Sequence, residues 1–217
     1  MRNTALVVVV FILLLGSIAG LLFVSRSNSS ELLEKDISLA TSGASTYRND
    51  LVINNLLKEH SAIMTLHLQG LYDGKDTTAT EILLDGNKNN ISSLVGQLYG
   101  REAQSSVNAK WQEHMDLYKS YTIAIKNNDR NMQNEARNGL VKISNELGEN
   151  FSEMEPKLNS QRVTELMQEH IVLTLDMVDA YASSNFSQEA RLTKQTFDQA
   201  TIFSFYLSEN MNTEPKE

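Results

Sequence analysis

Residues 53–71 read INNLLKEHSAIMTLHLQGL, with Ile53, Leu57, His60, Met64, His67 and Leu71 at alternating spacings of four and three. On a helix of 3.6 residues per turn this spacing lays all six side chains along one face. The same register recurs in VNAKWQEHMDLYKSYTIAI (107–125) as Val107, Trp111, His114, Tyr118, Tyr121 and Ile125. It recurs again in VTELMQEHIVLTLDMVDAY (163–181) as Val163, Met167, His170, Thr174, Met177 and Tyr181. Glu59-His60, Glu113-His114 and Glu169-His170 align at intervals of 54 and 56 residues, the length of one helical hairpin. Such stripes are the seams of an antiparallel bundle, and all four histidines of the chain lie on them.

Working outward, six segments carry helical periodicity. The first spans about Tyr47 to Tyr72 and stops at Asp73-Gly74, a C-terminal turn signal. The second opens at Thr78 with Glu81 three residues on, the pattern of a capping box, and ends at Gly100. The third covers about Glu102 to Lys126 and breaks at Asn127-Asn128-Asp129; the fourth runs from Asn131 to Met154, ahead of Pro156. A fifth spans Ser160 to Ala182, and a sixth opens after Ser184-Asn185 and fades near Asn210. No window alternates with period two between turns, so no sheet is expected. The expected fold class is all-α: an N-terminal transmembrane helix, then an antiparallel bundle of about six helices arranged as three hairpin repeats.

The transmembrane expectation rests on ALVVVVFILLLGSIAGLLFV at 5–24, long enough to cross a hydrocarbon core of ~30 Å. A cleaved signal peptide is the rival, with Ser17-Ile18-Ala19 as its small-residue site, but the apolar run continues through Leu21 to Val24. Arg2 precedes the run, and all 27 acidic residues follow residue 30 against 19 − 2 = 17 basic ones, leaving about −10 on the distal part. A segment poor in Lys and Arg after the anchor fits export. The expected organisation is therefore a tail at 1–4, an anchor in the lipid bilayer at 5–24, and a Ser-rich stalk at 25–45. A helical domain at 46–211 and a tail at 212–217 complete it. The protein is expected in the cell membrane, single-pass, with its bulk extracytoplasmic and a membrane protein as a possible partner. The acidic balance argues against nucleic acid, and the absence of Cys excludes disulfides and thiolate metal sites. Asn28, Asn90, Asn150 and Asn185 each open an Asn-x-Ser sequon, at about the frequency chance gives this composition.

The repeated Glu-His pair is the candidate site. If His60, His114 and His170 face the bundle axis, Glu59, Glu113 and Glu169 stand about 100° round the helix on its flank. From there a carboxylate could orient an imidazole on a neighbouring helix. His67, Met64 and Met177 share the stripes, so the candidate metal set is His60, His67, His114, His170, Met64, Met177, Glu59, Glu113 and Glu169. Thioether and imidazole without thiolate suggest copper, with zinc second if the carboxylates bind directly. Two other readings stand beside it. The pairs could be a hydrogen-bonded layer that sets helix register, with the methionines as gap-fillers, or they could hold an organic ligand or sense pH. Glu-x-x-His, the dimetal-carboxylate signature, is absent. Trp111, Tyr118 and Tyr121 are expected in the core, and Asp73-Gly74-Lys75-Asp76 lacks the later residues of a calcium loop. No nucleophile elbow, phosphate loop or triad pattern occurs, and no enzymatic activity is expected.

Leu56, Glu59 and His60, then Tyr99 and Gly100, then Leu166, Glu169 and His170, then Phe205, Leu207 and Ser208 form an ordered series. In it, residues 51–211 resemble a family of small exported bacterial helical-bundle proteins built on two hairpins, each opened by Leu/Trp-x-x-Glu-His. Glu113-His114 behind Trp111 would make this chain an expanded, three-hairpin relative. The resemblance implies a bundle fold and export, and no particular chemistry.

Overall fold

The computed structural model describes residues 46–211, and these are helical throughout apart from the turns. The helices are α1 (Thr46–Asp73), α2 (Thr78–Tyr99), α3 (Arg101–Asn127), α4 (Arg130–Met154), α5 (Ser160–Ala182) and α6 (Phe186–Asn210). The expected anchor at 5–24, the stalk and both tails lie outside the described residues. Among the described residues no helix is long and apolar enough to cross a membrane.

Local chemistry sets the ends close to where the sequence places them. Gly74 takes φ +72 and Asn128 takes φ 55, left-handed conformations that close α1 and α3. Asp129 caps α4 by accepting from the backbone N–H groups of Asn131 and Met132. Asn159 caps α5 through the N–H of Arg162, and Asn185 caps α6 through that of Gln188. The expected capping box is not formed. Thr78 is already helical and Thr77, the cap, makes no side-chain cap bond. Asp76 accepts from the Thr78 N–H instead, which frees Glu81 to pair with Lys119 of α3 at 3.0 Å.

Neighbours in sequence are joined by short turns and pack against each other, and α6 packs on α1, so the six helices close into a ring. The odd helices α1, α3 and α5 also touch one another pairwise across the centre. With antiparallel neighbours the three odd helices run in the same direction. Their stripes form the core. Val107, Tyr118 and Val163 are fully buried, and among the stripe residues only Leu71, Ile125 and Tyr181, the last of each series, are part-exposed.

Two glycines separate close packing from mere permissiveness. An added Cβ at Gly148 would stand 2.7 Å from the Ser160 carbonyl oxygen and would also meet the Thr164 hydroxyl, because α4 and α5 approach there. Exposed Gly86 in α2 has nothing within 4 Å of such a Cβ. Gly148→Ala is therefore expected to lower stability by roughly 1–3 kcal/mol. Gly86→Ala is expected to raise it by about 1 kcal/mol through helix propensity. Urea melts of the two variants check both signs.

Candidate functional site

The three repeat histidines meet at one level of the core. His60 and His114 have ring centroids 5.1 Å apart, and His60 and His170 6.2 Å. Trp111 packs edge-on against both His60 and His114, with centroids 5.3 and 5.0 Å away, and Tyr118 packs edge-on against His114 at 5.5 Å. All three imidazoles are buried, the most exposed being His170 at 8%.

Hydrogen bonds assign the protons. His114 Nδ1 lies 2.6 Å from the Trp111 carbonyl oxygen, which can only accept, so Nδ1 carries the hydrogen and Nε2 a lone pair. His114 Nε2 stands 3.2 Å from His60 Nε2, so His60 is the donor of that pair. His60 Nδ1 is then an acceptor, and the Trp111 indole N–H, a donor only, points at it from 3.4 Å. The three bonds form a consistent circuit in which both imidazoles are neutral.

Two carboxamides hold the rim. Asn87 of α2 donates to the carbonyl of Leu56, four residues before His60, and Gln199 of α6 donates to that of Leu166, four before His170. These bonds fix each amide's orientation, so the oxygens of Asn87 and Gln199 turn away from those carbonyls. Both oxygens are buried and lack a partner at full hydrogen-bond geometry, yet the two side chains still raise the basicity of His60 and His170. Hairpins one and three are thus built alike, each with a carboxamide donating to the carbonyl four residues before its histidine.

Burial depresses every pKa in the cluster. His60 is held well below the usual histidine value, first by burial and then by His114 and His170. His114 falls to about 3, chiefly by burial and next by His170, with the Trp111 carbonyl opposing. His170 falls to about 4 by burial, opposed by Gln199. Asp116, two residues on along α3, also favours the imidazolium of His114, but less than burial opposes it.

The rest of the expected set is placed elsewhere. Glu59, Glu113 and Glu169 are exposed, and Glu59 accepts from Asn87 Nδ2 at 2.9 Å. A rotation of 100° from a histidine aimed at the axis carries the neighbouring residue past the flank and out to solvent in a closed ring. His67, two turns on from His60, bonds Thr80 through Nδ1 at 2.9 Å. The Thr80 hydroxyl donates to the Thr77 carbonyl and so accepts from His67. Met64 and Met177 are buried but do not line the void beside the cluster. That void, about 20 Å³, lies among His60, His114, His170, Met167 and Gln199. An apolar void of about 30 Å³ adjoins it across Leu57, Trp111 and Phe203. Among the described residues no three His, Asp or Glu side chains stand ready-made around a metal position.

Sequence reasoning missed Asn87 and Gln199, although each is a lone carboxamide on a buried face, 27 and 29 residues after its histidine. It also missed the pairing of the Tyr121 hydroxyl with Asp179 at 2.9 Å, which Arg137 reinforces by donating to the same hydroxyl. No family model matches this chain, and neither do any curated proteins or solved structures.

Proposed function

We propose that this chain is a membrane-tethered, non-catalytic accessory bundle whose extracytoplasmic helices form a rigid body set in register by the histidine layer. One observation carries the reading: around the histidine level, buried hydrogen bonds join neighbouring helices. The His60–His114 bond ties α1 to α3, Asn87 ties α2 to α1, and Gln199 ties α6 to α5. A buried polar layer of this kind disfavours slipped registers, because any slip leaves its groups without partners. Tethering rests on the apolar run at 5–24 and export on the scarcity of Lys and Arg in the segment that follows it. Ile202 and Phe205, one turn apart on α6 and 49% and 53% exposed, give such a subunit an apolar edge for a membrane-protein partner.

Asn87→Ala is expected to lower stability by about 1–2 kcal/mol, since the Leu56 carbonyl and Glu59 both lose a donor. A urea midpoint equal to wild type would sink the register role. For the tether, protease added to spheroplasts should degrade the helical domain while the protein sediments with membranes. A protected or freely released domain would overturn that half of the reading.

A further inference from the structure

The geometry points to the histidine layer as a binding site for a monovalent soft metal ion, Cu(I), held by His60 and His114 through Nε2 and completed by His170 and Met167. This deepens the reading of the layer as a structural element: the circuit described above is then its ion-free state.

Four observations support it. First, two imidazole nitrogens each about 2.0–2.1 Å from one ion at a tetrahedral angle stand roughly 3.3 Å apart. His60 Nε2 and His114 Nε2 are 3.2 Å apart, so an ion can replace the proton between them with little movement of either ring. Second, the His114 ring is backed as a ligand imidazole is, with an oxygen acceptor, the Trp111 carbonyl at 2.6 Å, behind the nitrogen opposite the metal. Third, the void between the rings is lined by the Met167 side chain, which adds a thioether, and by the buried, unbonded Gln199 amide oxygen. Fourth, the Glu side chains are outside, so every donor facing the void is neutral.

That neutrality selects the ion. The cost of burying a charge rises with its square, and nothing in the cluster offsets a second positive charge. Imidazole with thioether also favours the softer cuprous ion over zinc. Occupation needs one proton to move. His60 Nε2 gives up its hydrogen and the ring takes the Nδ1–H tautomer, which ends the 3.4 Å contact with the Trp111 indole. His170, the most distant ring at 6.2 Å, closes by side-chain rotation into the void. Trp111 is the chain's sole tryptophan, so its emission reports on this site alone.

The full-length chain in detergent, under anaerobic reducing conditions, is titrated with Cu(I) while Trp111 fluorescence is recorded. A saturable 1:1 change is expected, with affinity at least tenfold weaker in His114→Ala and in Met167→Leu and unaltered in His67→Ala. Met167→Leu conserves volume and decides the matter if His114→Ala does not fold. Absence of a saturable change, equal loss in His67→Ala, or displacement of Cu(I) by an equal concentration of Zn(II) would each overturn the assignment. The structural reading fails separately, through unaltered urea midpoints of Asn87→Ala in chelator, whatever copper does.

Discussion

Between pH 7 and pH 5 the bundle is expected to lose about 4 kcal/mol of stability through His114 and His170 alone, with His60 acting in the same direction. The sign follows from the direction of the shifts. All three have folded-state pKa values below the unfolded value, with His114 at about 3 and His170 at about 4. Below pH ~6.5 the unfolded chain therefore binds protons that the folded chain excludes, and stability falls as pH falls. At pH 5 His114 and His170 each contribute about 2 kcal/mol of that loss, which continues to grow until the folded values are reached. Burial is nearly complete, so solvent screening gives little relief. His67, also depressed by burial, adds to the same trend. Carboxylates act lower in the scale: Asp73 and Glu146, held below their ordinary values by Lys75 and Lys110, lose their contributions only below about pH 4. Since a domain of this kind is stable by about 5–15 kcal/mol, cooperative unfolding is expected near pH 4–5. Urea midpoints at pH 7, 6 and 5, read by circular dichroism and Trp111 emission, check it. Equal midpoints at pH 7 and pH 5 would contradict a buried neutral cluster.

His114→Ala is the substitution expected to cost most among the four histidines, roughly 4 kcal/mol. It opens a cavity against Trp111 and Tyr118, and it strips the acceptor from the His60 N–H. His114→Phe separates the two effects. It restores most of the volume while leaving the His60 N–H facing a ring, so it should recover about half of the loss. His67→Ala should cost less, roughly 2 kcal/mol, because its partner Thr80 keeps a second bond to the Thr77 carbonyl. A His114→Ala midpoint no lower than that of His67→Ala would show that the central ring is not the keystone of the layer.

The bundle was legible because burial obeys periodicity. The residues from Ile53 to His67, from Val107 to Tyr121 and from Val163 to Met177 on the stripes are all buried, and the repeat at 54 and 56 residues brings its three histidines together. Helix ends were legible where one residue type answers one need, as at Gly74, Asn128 and Asn185. At Thr78 the reading failed because Asp76, a carboxylate two residues away, takes the N–H that Glu81 was expected to accept, and Glu81 pairs with Lys119 instead. The site was legible only by its stripe. Periodicity tells which residues face inward, and it placed His60, His114 and His170 well. It says nothing about partners across helices, so Asn87 and Gln199 stayed invisible and the adjacent glutamates looked closer to the imidazoles than a closed ring allows. The expected anchor at 5–24 lies outside the described residues, and that expectation rests on its apolar run alone.

The account's central claim is that His60 and His114 share one hydrogen bond as neutral, oppositely protonated rings. Nitrogen-15 imidazole spectra of the metal-free protein at pH 6 test it most directly. The expected result is His114 protonated at Nδ1, His60 protonated at Nε2, and neither ring titrating before the protein unfolds. Either ring titrating reversibly near pH 6.5 in the folded state, or both carrying the same tautomer, would contradict it.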